Sequence, residues 1–216
     1  MKSSHFLRAS VFAVLLALCL LPATAHAATT VTVGCGGISG RYDYTTIQAA
    51  LDAILGLPPG SFTIVVAGNC SESLSIVDRR SITIVGLSGA SVLGPNDNDA
   101  FDIVRSQGIT IENLDISSTG PDASGLSIDR GSEVKIIVCK IHNNQSGGVL
   151  VRRNSVLFLL TSTLENNIPG DGLDVVSNSI VFLMSLYYAK VNNVAFAPGF
   201  LDRKSETTSL SRNPGR

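Results

Sequence analysis

The sequence predicts an all-β chain wound as a parallel β-helix solenoid of about five to six coils, closed at its N-terminal end by one α-helix. Three observations carry this. Five leading triplets, Leu74-Ser75-Ile76, Phe101-Asp102-Ile103, Leu126-Ser127-Ile128, Val149-Leu150-Val151 and Leu173-Asp174-Val175, recur at intervals of 27, 25, 23 and 24 residues. Five following triplets, Ile82-Thr83-Ile84, Ile109-Thr110-Ile111, Val134-Lys135-Ile136, Val156-Leu157-Phe158 and Ile180-Val181-Phe182, begin 8, 8, 8, 7 and 7 residues after them. The outer positions of all ten are apolar in a chain only 44% hydrophobic, and seven of the ten middle positions are polar.

Alternation of period two over short runs means strands with one buried face. Connections as short as Asp129-Arg130-Gly131-Ser132-Glu133 leave no room for crossover helices, so each turn of chain stacks on the one before, at about 4.8 Å. A weaker third series, Leu114-Asp115-Ile116, Cys139-Lys140-Ile141 and Ser162-Thr163-Leu164, gives each coil three faces.

Residues 1–27 read as a secretory signal peptide: Lys2 and Arg8, an apolar run over 11–21, then Ala25-His26-Ala27 as a cleavage site. The run is shorter than the roughly 20 residues a membrane span needs, so no transmembrane span is expected in the mature chain, and export to a secreted or periplasmic location is. Cleavage leaves 189 residues with 14 basic and 17 acidic side chains, a net charge of −3. That balance argues against nucleic acid as a partner.

Residues 28–73 form the N-terminal cap. Ala28 to Val33 reads as a strand, and a helix over 45–56 opens with a capping box from Thr45 to Gln48. Ile47, Ala50, Leu51 and Ile54 fall on one side of it, and Pro58-Pro59-Gly60 ends it. Phe62 to Val66 supplies a strand of the first coil. Cys35 and Cys70 flank this region, and an exported compartment permits a disulfide between them. Cys139, aligned with Leu114, reads as a small core residue.

The segments Tyr44 to Ile54, Ile64 to Ile76 and Ser81 to Gly86 resemble the opening of right-handed parallel β-helix proteins of the pectate lyase superfamily, the pectin lyase-like fold. The resemblance covers about 31–193 and implies the right-handed winding. It implies no single activity, because that architecture carries lyases, hydrolases, esterases and adhesins.

Residues 74–197 hold the repeats. The widest insertion, Gly94 to Ala100, alternates acids and asparagines; it reads as a turn, with calcium as the alternative cofactor expectation and no other cofactor or metal expected. His142-Asn143-Asn144 and Glu165-Asn166-Asn167 occupy equivalent turns, with Ser117-Ser118 one coil earlier, and predict an asparagine stack. The polar residues 198–216 form a tail with no strand pattern. No second cap is recognisable, so an open last coil invites end-to-end self-association.

The outward column of the leading strands is Ser75, Asp102, Ser127, Leu150, Asp174. Its acids, Asp102 and Asp174, lie three coils apart, roughly 14 Å, too far for a glycosidase pair. Gly170-Asp171-Gly172-Leu173-Asp174 is similar to a motif of polygalacturonase-like β-helices, which makes Asp171 and Asp174, with Asp129 nearby, weak catalytic candidates; the second Asp pair, the Gly-His-Gly and the Arg-x-Lys of that pattern are absent. Just past each leading strand stand Asp78, Arg105, Arg130, Arg153 and Ser177, with Arg152 beside Arg153. Arg105, Arg130, Arg153 and Arg152 read first as a solvated rim whose like charges are eased by Asp78, Asp129 and Glu133, and alternatively as a ladder that grips an acidic polysaccharide or envelope glycan. A binding or structural module is the first expectation, and a pectate lyase- or polygalacturonase-like enzyme the alternative.

Overall fold

The structure, a computed structural model, describes residues 28–184, 190–191 and 194–196. The signal-peptide segment, Leu186-Tyr187-Tyr188 and the tail 198–216 lie outside the described residues.

Three parallel sheets run the length of the molecule. The following sheet stacks Thr29–Gly34, Phe62–Ala67, Arg80–Gly86, Gln107–Glu112, Glu133–Ile137, Val156–Leu160 and Ile180–Met184. The leading sheet stacks Leu74–Val77, Phe101–Val104, Ser124–Asp129, Gly147–Val151, Asp171–Val175 and Val194–Phe196. The third sheet stacks Asn69–Ser71, Ser91–Gly94, Asp115–Ser118, Lys140–His142, Thr163–Glu165 and Lys190–Val191. Every pairing joins a strand to its equivalent one coil away. This is the predicted right-handed β-helix, and the strand Thr29–Gly34 is itself a rung, paired along its whole length with Phe62–Ala67.

Side chains explain the winding. Leu74, Phe101, Leu126, Val149 and Leu173 stand in register as one interior line and are all fully buried. Ile82, Ile109, Val134 and Leu157 make the matching line from the following sheet. The last two following strands depart from the predicted phase. Val134 pairs with Leu157 and Leu157 with Val181, so Leu157, Leu159, Val181 and Leu183 face the axis, whereas Val156, Phe158, Ile180 and Phe182 face out. The run Val-Leu-Phe-Leu-Leu is apolar at every position, so alternation within it carries no phase; the neighbouring coil decides it.

Polar ladders fill the corners. Asn143 and Asn166 take the left-handed backbone conformation predicted for them. Behind them the buried Asn144 donates from Nδ2 to Asn167 Oδ1 (2.8 Å) and accepts at Oδ1 from Ser118 (2.6 Å). A second ladder was not expected: the buried hydroxyls of Ser106, Ser132, Ser155 and Ser179 each accept from the backbone N–H one coil earlier, those of Arg79, Ser106, Ser132 and Ser155. These bonds satisfy corner amides that belong to no strand.

The cap is built differently from its sequence reading. The α-helix spans Ile47–Ala53 and tightens into a 3₁₀ turn, Ile54–Gly56. Its N-cap is Thr46, whose hydroxyl accepts from Ala49 N, and not Thr45. Gln48 does not close a capping box; its side chain donates to Asp52 and accepts from Ser75 N. Glu72 takes that role from the first coil, accepting from the Ile47 and Gln48 amides at 2.8 and 3.0 Å. A carboxylate at a helix N-terminus is stabilised by the unpaired amides there, so this contact ties cap to coil. Ile47, Ala50 and Leu51 close the apolar end of the stack. The Cys35–Cys70 disulfide, with Cα atoms 4.9 Å apart, links the first rung of the following sheet to the first rung of the third. Cys139 is a buried free thiol, as expected.

Candidate functional site

The leading sheet presents the richest polar surface. Its pairing sets Ser75, Asp102, Ser127, Leu150 and Asp174 in one outward column, as the spacing predicts. A second outward column runs Val77, Val104, Asp129 and then, by continuation of the register, Arg152. Beyond it comes the corner column Asp78, Arg105, Arg130, Arg153 and Ser177, all with φ between 50° and 56°. The chain turns there through a left-handed residue in every coil, which throws each side chain outward at the sheet edge.

The arginines therefore stack, but they do not share one state. Arg105 forms a two-pronged ion pair with Asp78 one coil earlier, both contacts at 2.7 Å. That guanidinium holds the Asp78 carboxyl below its ordinary range. Arg152 and Arg153 converge on Asp129, their Nε atoms at 3.3 Å from Oδ2 and Oδ1. Asp129 Oδ1 also accepts from the Arg130 amide at 2.7 Å, and the residue is buried. Arg152 Nε is close enough for an ion pair yet misaligned for a hydrogen bond, and its Nη2 donates to Ser127 at 3.4 Å. Arg130 is exposed, and among the described residues it has no ion-pair partner.

Acids complete the surface. Asp99 accepts from Ser124 N at 2.6 Å, and burial raises its carboxyl above the ordinary value. Burial raises Asp102 as well, opposed by Arg152 and reinforced by Asp129. Asp174 is raised by burial and by Asp171. The three weak catalytic candidates thus fall into two groups. Asp129 is clamped between two arginines, an arrangement suited to holding them, while Asp171 and Asp174 lie two coils along, with no ion-pair partner among the described residues.

In the Gly94 to Ala100 insertion the polar groups serve the turn. Asn96 and Asp97 are left-handed, the Asn98 amide donates to the Pro95 and Asn96 carbonyls, and the Asp99 carbonyl accepts from Ser73. Cys35, Cys70 and Glu72 are the one trio of metal-ligand type found close together among the described residues. Their sulfurs are joined to each other and Glu72 caps the helix.

On the third sheet His142 Nε2 lies 2.6 Å from Asp115 Oδ1, and Lys140 Nζ 3.2 Å from Glu165. These diagonal pairs bridge adjacent coils. Among the described residues no helix is long and apolar enough to cross a membrane.

No curated protein matches the chain. Among solved structures, the crystal structure of Escherichia coli YbhC is similar at 14% identity and a TM-score of 0.41, over 83% of this chain and 75% of that one. The family model described as "Right handed beta helix region" matches residues 77–197, more than half of the sequence. With its pectin lyase-like winding already visible in the stacked coils, the chain belongs to the right-handed β-helix family.

Proposed function

We propose that this protein is an exported module that binds a linear polysaccharide along the outer face of its leading sheet. Export is supported by the signal-peptide pattern in 1–27 and by a disulfide, a bond that persists in oxidising compartments. The observation that carries the reading is Arg130: an exposed guanidinium in the middle of a corner column whose neighbours Arg105 and Arg153 are held by acids, within electrostatic reach of the Asp102 carboxylate. Donors and acceptors that repeat at about the 4.8 Å strand spacing along a straight face suit a polymer, and one open guanidinium suits a carboxylate or sulfate on it. Because Asp78 neutralises Arg105 and Asp129 offsets one of the two charges of Arg152 and Arg153, the ligand is expected to be a sparsely charged envelope glycan as readily as a uronate polymer.

The test is affinity electrophoresis in gels carrying polygalacturonate, alginate or a neutral glucan. Arg130→Ser leaves every ion pair of the face intact and should cut retention on the acidic gels about tenfold, with loss of salt sensitivity. Equal retention of Arg130→Ser and wild type on every acidic gel overturns the reading.

A lyase or hydrolase of uronate polymers is the second reading, favoured by one observation: Asp102, raised by burial, lies within electrostatic reach of Arg152, Arg130 and Asp129. Turnover of polygalacturonate with and without calcium, abolished by Asp102→Asn, would establish it. Calcium enters this reading as a cofactor to be tried.

A further inference from the structure

The outer face of the following sheet changes character along the solenoid. Its central column runs Thr30, Thr63, Thr83, Thr110, Lys135, Phe158, Phe182. The column beside it runs Thr32, Val65, Val85, Glu112, Ile137, Leu160, Met184, and on the other side Glu133 is followed by Val156 and Ile180. The early coils thus show threonines at the centre of this face, and the late coils show only large apolar side chains. Phe158 and Phe182 stack with ring centroids 4.9 Å apart and planes within 10°. Ile180, Phe182 and Met184 are 46%, 45% and 53% exposed. The interior does not need them: Leu157, Leu159, Val181 and Leu183 already face the axis from the same two strands.

We infer that this face is the interface of a homodimer in which two solenoids lie side by side, related by a two-fold axis parallel to their length. Area favours a second copy of this chain as the occupant. The seven apolar side chains from Ile137 to Met184 expose on the order of 500 Å², beyond what scattered surface residues account for. Two such faces together remove about 1,000 Å², the lower bound for a specific interface. A two-fold axis of this direction keeps equal coils level and reverses strand direction, so Phe158 and Phe182 meet their own counterparts. It also sets Lys135, which shares that column, opposite Lys135 of the other copy at the exposed margin of the patch. An ordered strip fixed by sheet backbone loses little freedom on association. The inference is independent of the glycan-binding reading, which uses a different sheet.

Sedimentation equilibrium of the purified protein from about 1 to 100 µM tests it, with far-UV circular dichroism as the folding control. Wild type is expected to dimerise reversibly. The doubly substituted Phe158→Thr, Phe182→Thr protein, which only extends the threonine column, is expected to stay monomeric with an unchanged spectrum. Met184→Thr, at a half-exposed position, is a milder second variant expected to raise the dissociation constant about tenfold. Lys135→Thr, which removes the like-charged contact at the margin, should tighten the dimer, and a dimer weakened by it contradicts the two-fold placement. A wild type that is monomeric at 100 µM overturns the proposal, including one that instead floats with phosphatidylcholine vesicles. A dimer that survives Phe158→Thr with Phe182→Thr overturns it too.

Discussion

Val138 is the most improbable residue for its place in the backbone, and replacing it should make the protein more stable. It occupies the corner between the following and third sheets at φ 53°, where Asn113 stands one coil earlier at the same φ and Thr161 one coil later at 47°. A β-branched side chain in the left-handed region is strained by about 1–2 kcal/mol. Asn113 tolerates the conformation and donates from Nδ2 to the Gly86 carbonyl at 2.7 Å; an asparagine at 138 reaches the Asn113 carbonyl in the same way, for about 1 kcal/mol. Against this stands the loss of half an isopropyl group, since Val138 is 51% exposed, roughly 0.7 kcal/mol. Val138→Asn should therefore gain about 1–2 kcal/mol and raise Tm by about 2–6 °C in a chain of this size. Urea and thermal melts at pH 7 read this directly. Val138→Gly should gain less, because glycine also frees the unfolded chain, and Val138→Ala should be nearly neutral. Should alanine stabilise as much as asparagine, left-handed strain is not the cause and the reasoning fails.

Four further outcomes follow from contacts elsewhere in the coils and cap. Asn144→Ala removes the bonds to Ser118, Asn167 and the His142 carbonyl from a fully buried site and should cost about 3 kcal/mol in urea, whereas Asn98→Ala, on an exposed turn, should cost less than about 1 kcal/mol. Thr46→Ala should cost about 1 kcal/mol and Thr45→Ala almost nothing, reversing the order that the Thr45–Gln48 spacing suggests. Cys139 should resist iodoacetamide in the folded protein at pH 8, because burial pushes its thiol up to about 11 from an ordinary value of 9.0. Its proton is held more tightly folded than unfolded, so the associated stability is complete below pH 9 and lost as pH rises through 11. Denatured, unreduced protein lacking 1–27 should titrate one thiol, the other two being joined.

Much of this structure can be read from the sequence, and the failures share a cause. Inward lines such as Leu74 to Leu173 were legible because each alternates with polar neighbours and recurs every coil. Phe158 and Phe182 were assigned inward because Val156–Leu160 and Ile180–Met184 are apolar throughout. The cue was present in the offset: measured to residues that pair, Leu74 to Ile82, Phe101 to Ile109, Leu126 to Val134, Val149 to Leu157 and Leu173 to Val181 are all eight apart, and the apparent drop to seven was a slip of one residue. The asparagine stack announced itself through paired Asn at equivalent turns. The serine ladder had an equally regular spacing, at 106, 132, 155 and 179, but serine is common in loops and its burial is invisible without the fold. The arginine column was placed correctly in sequence. The easing of its charge by Asp78 and Asp129 was legible too, but not that Asp129 takes both Arg152 and Arg153 and leaves Arg130 unpaired, nor that the helix cap comes from Glu72, some 25 residues away.

The invariant eight-residue step also sets where this chain tolerates change in length. From each following strand to the next leading strand the distance varies, from 19 residues between Ile82 and Phe101 to 13 between Val181 and Val194. All natural elasticity sits in those two corners. The remaining corner is rigid, because one added residue there would lift a serine hydroxyl out of reach of the amide it serves and reverse the facing of the strand that follows. A foreign epitope grafted at 95–98 should be carried without disturbing the coils, whereas a single residue inserted between 129 and 132 should not.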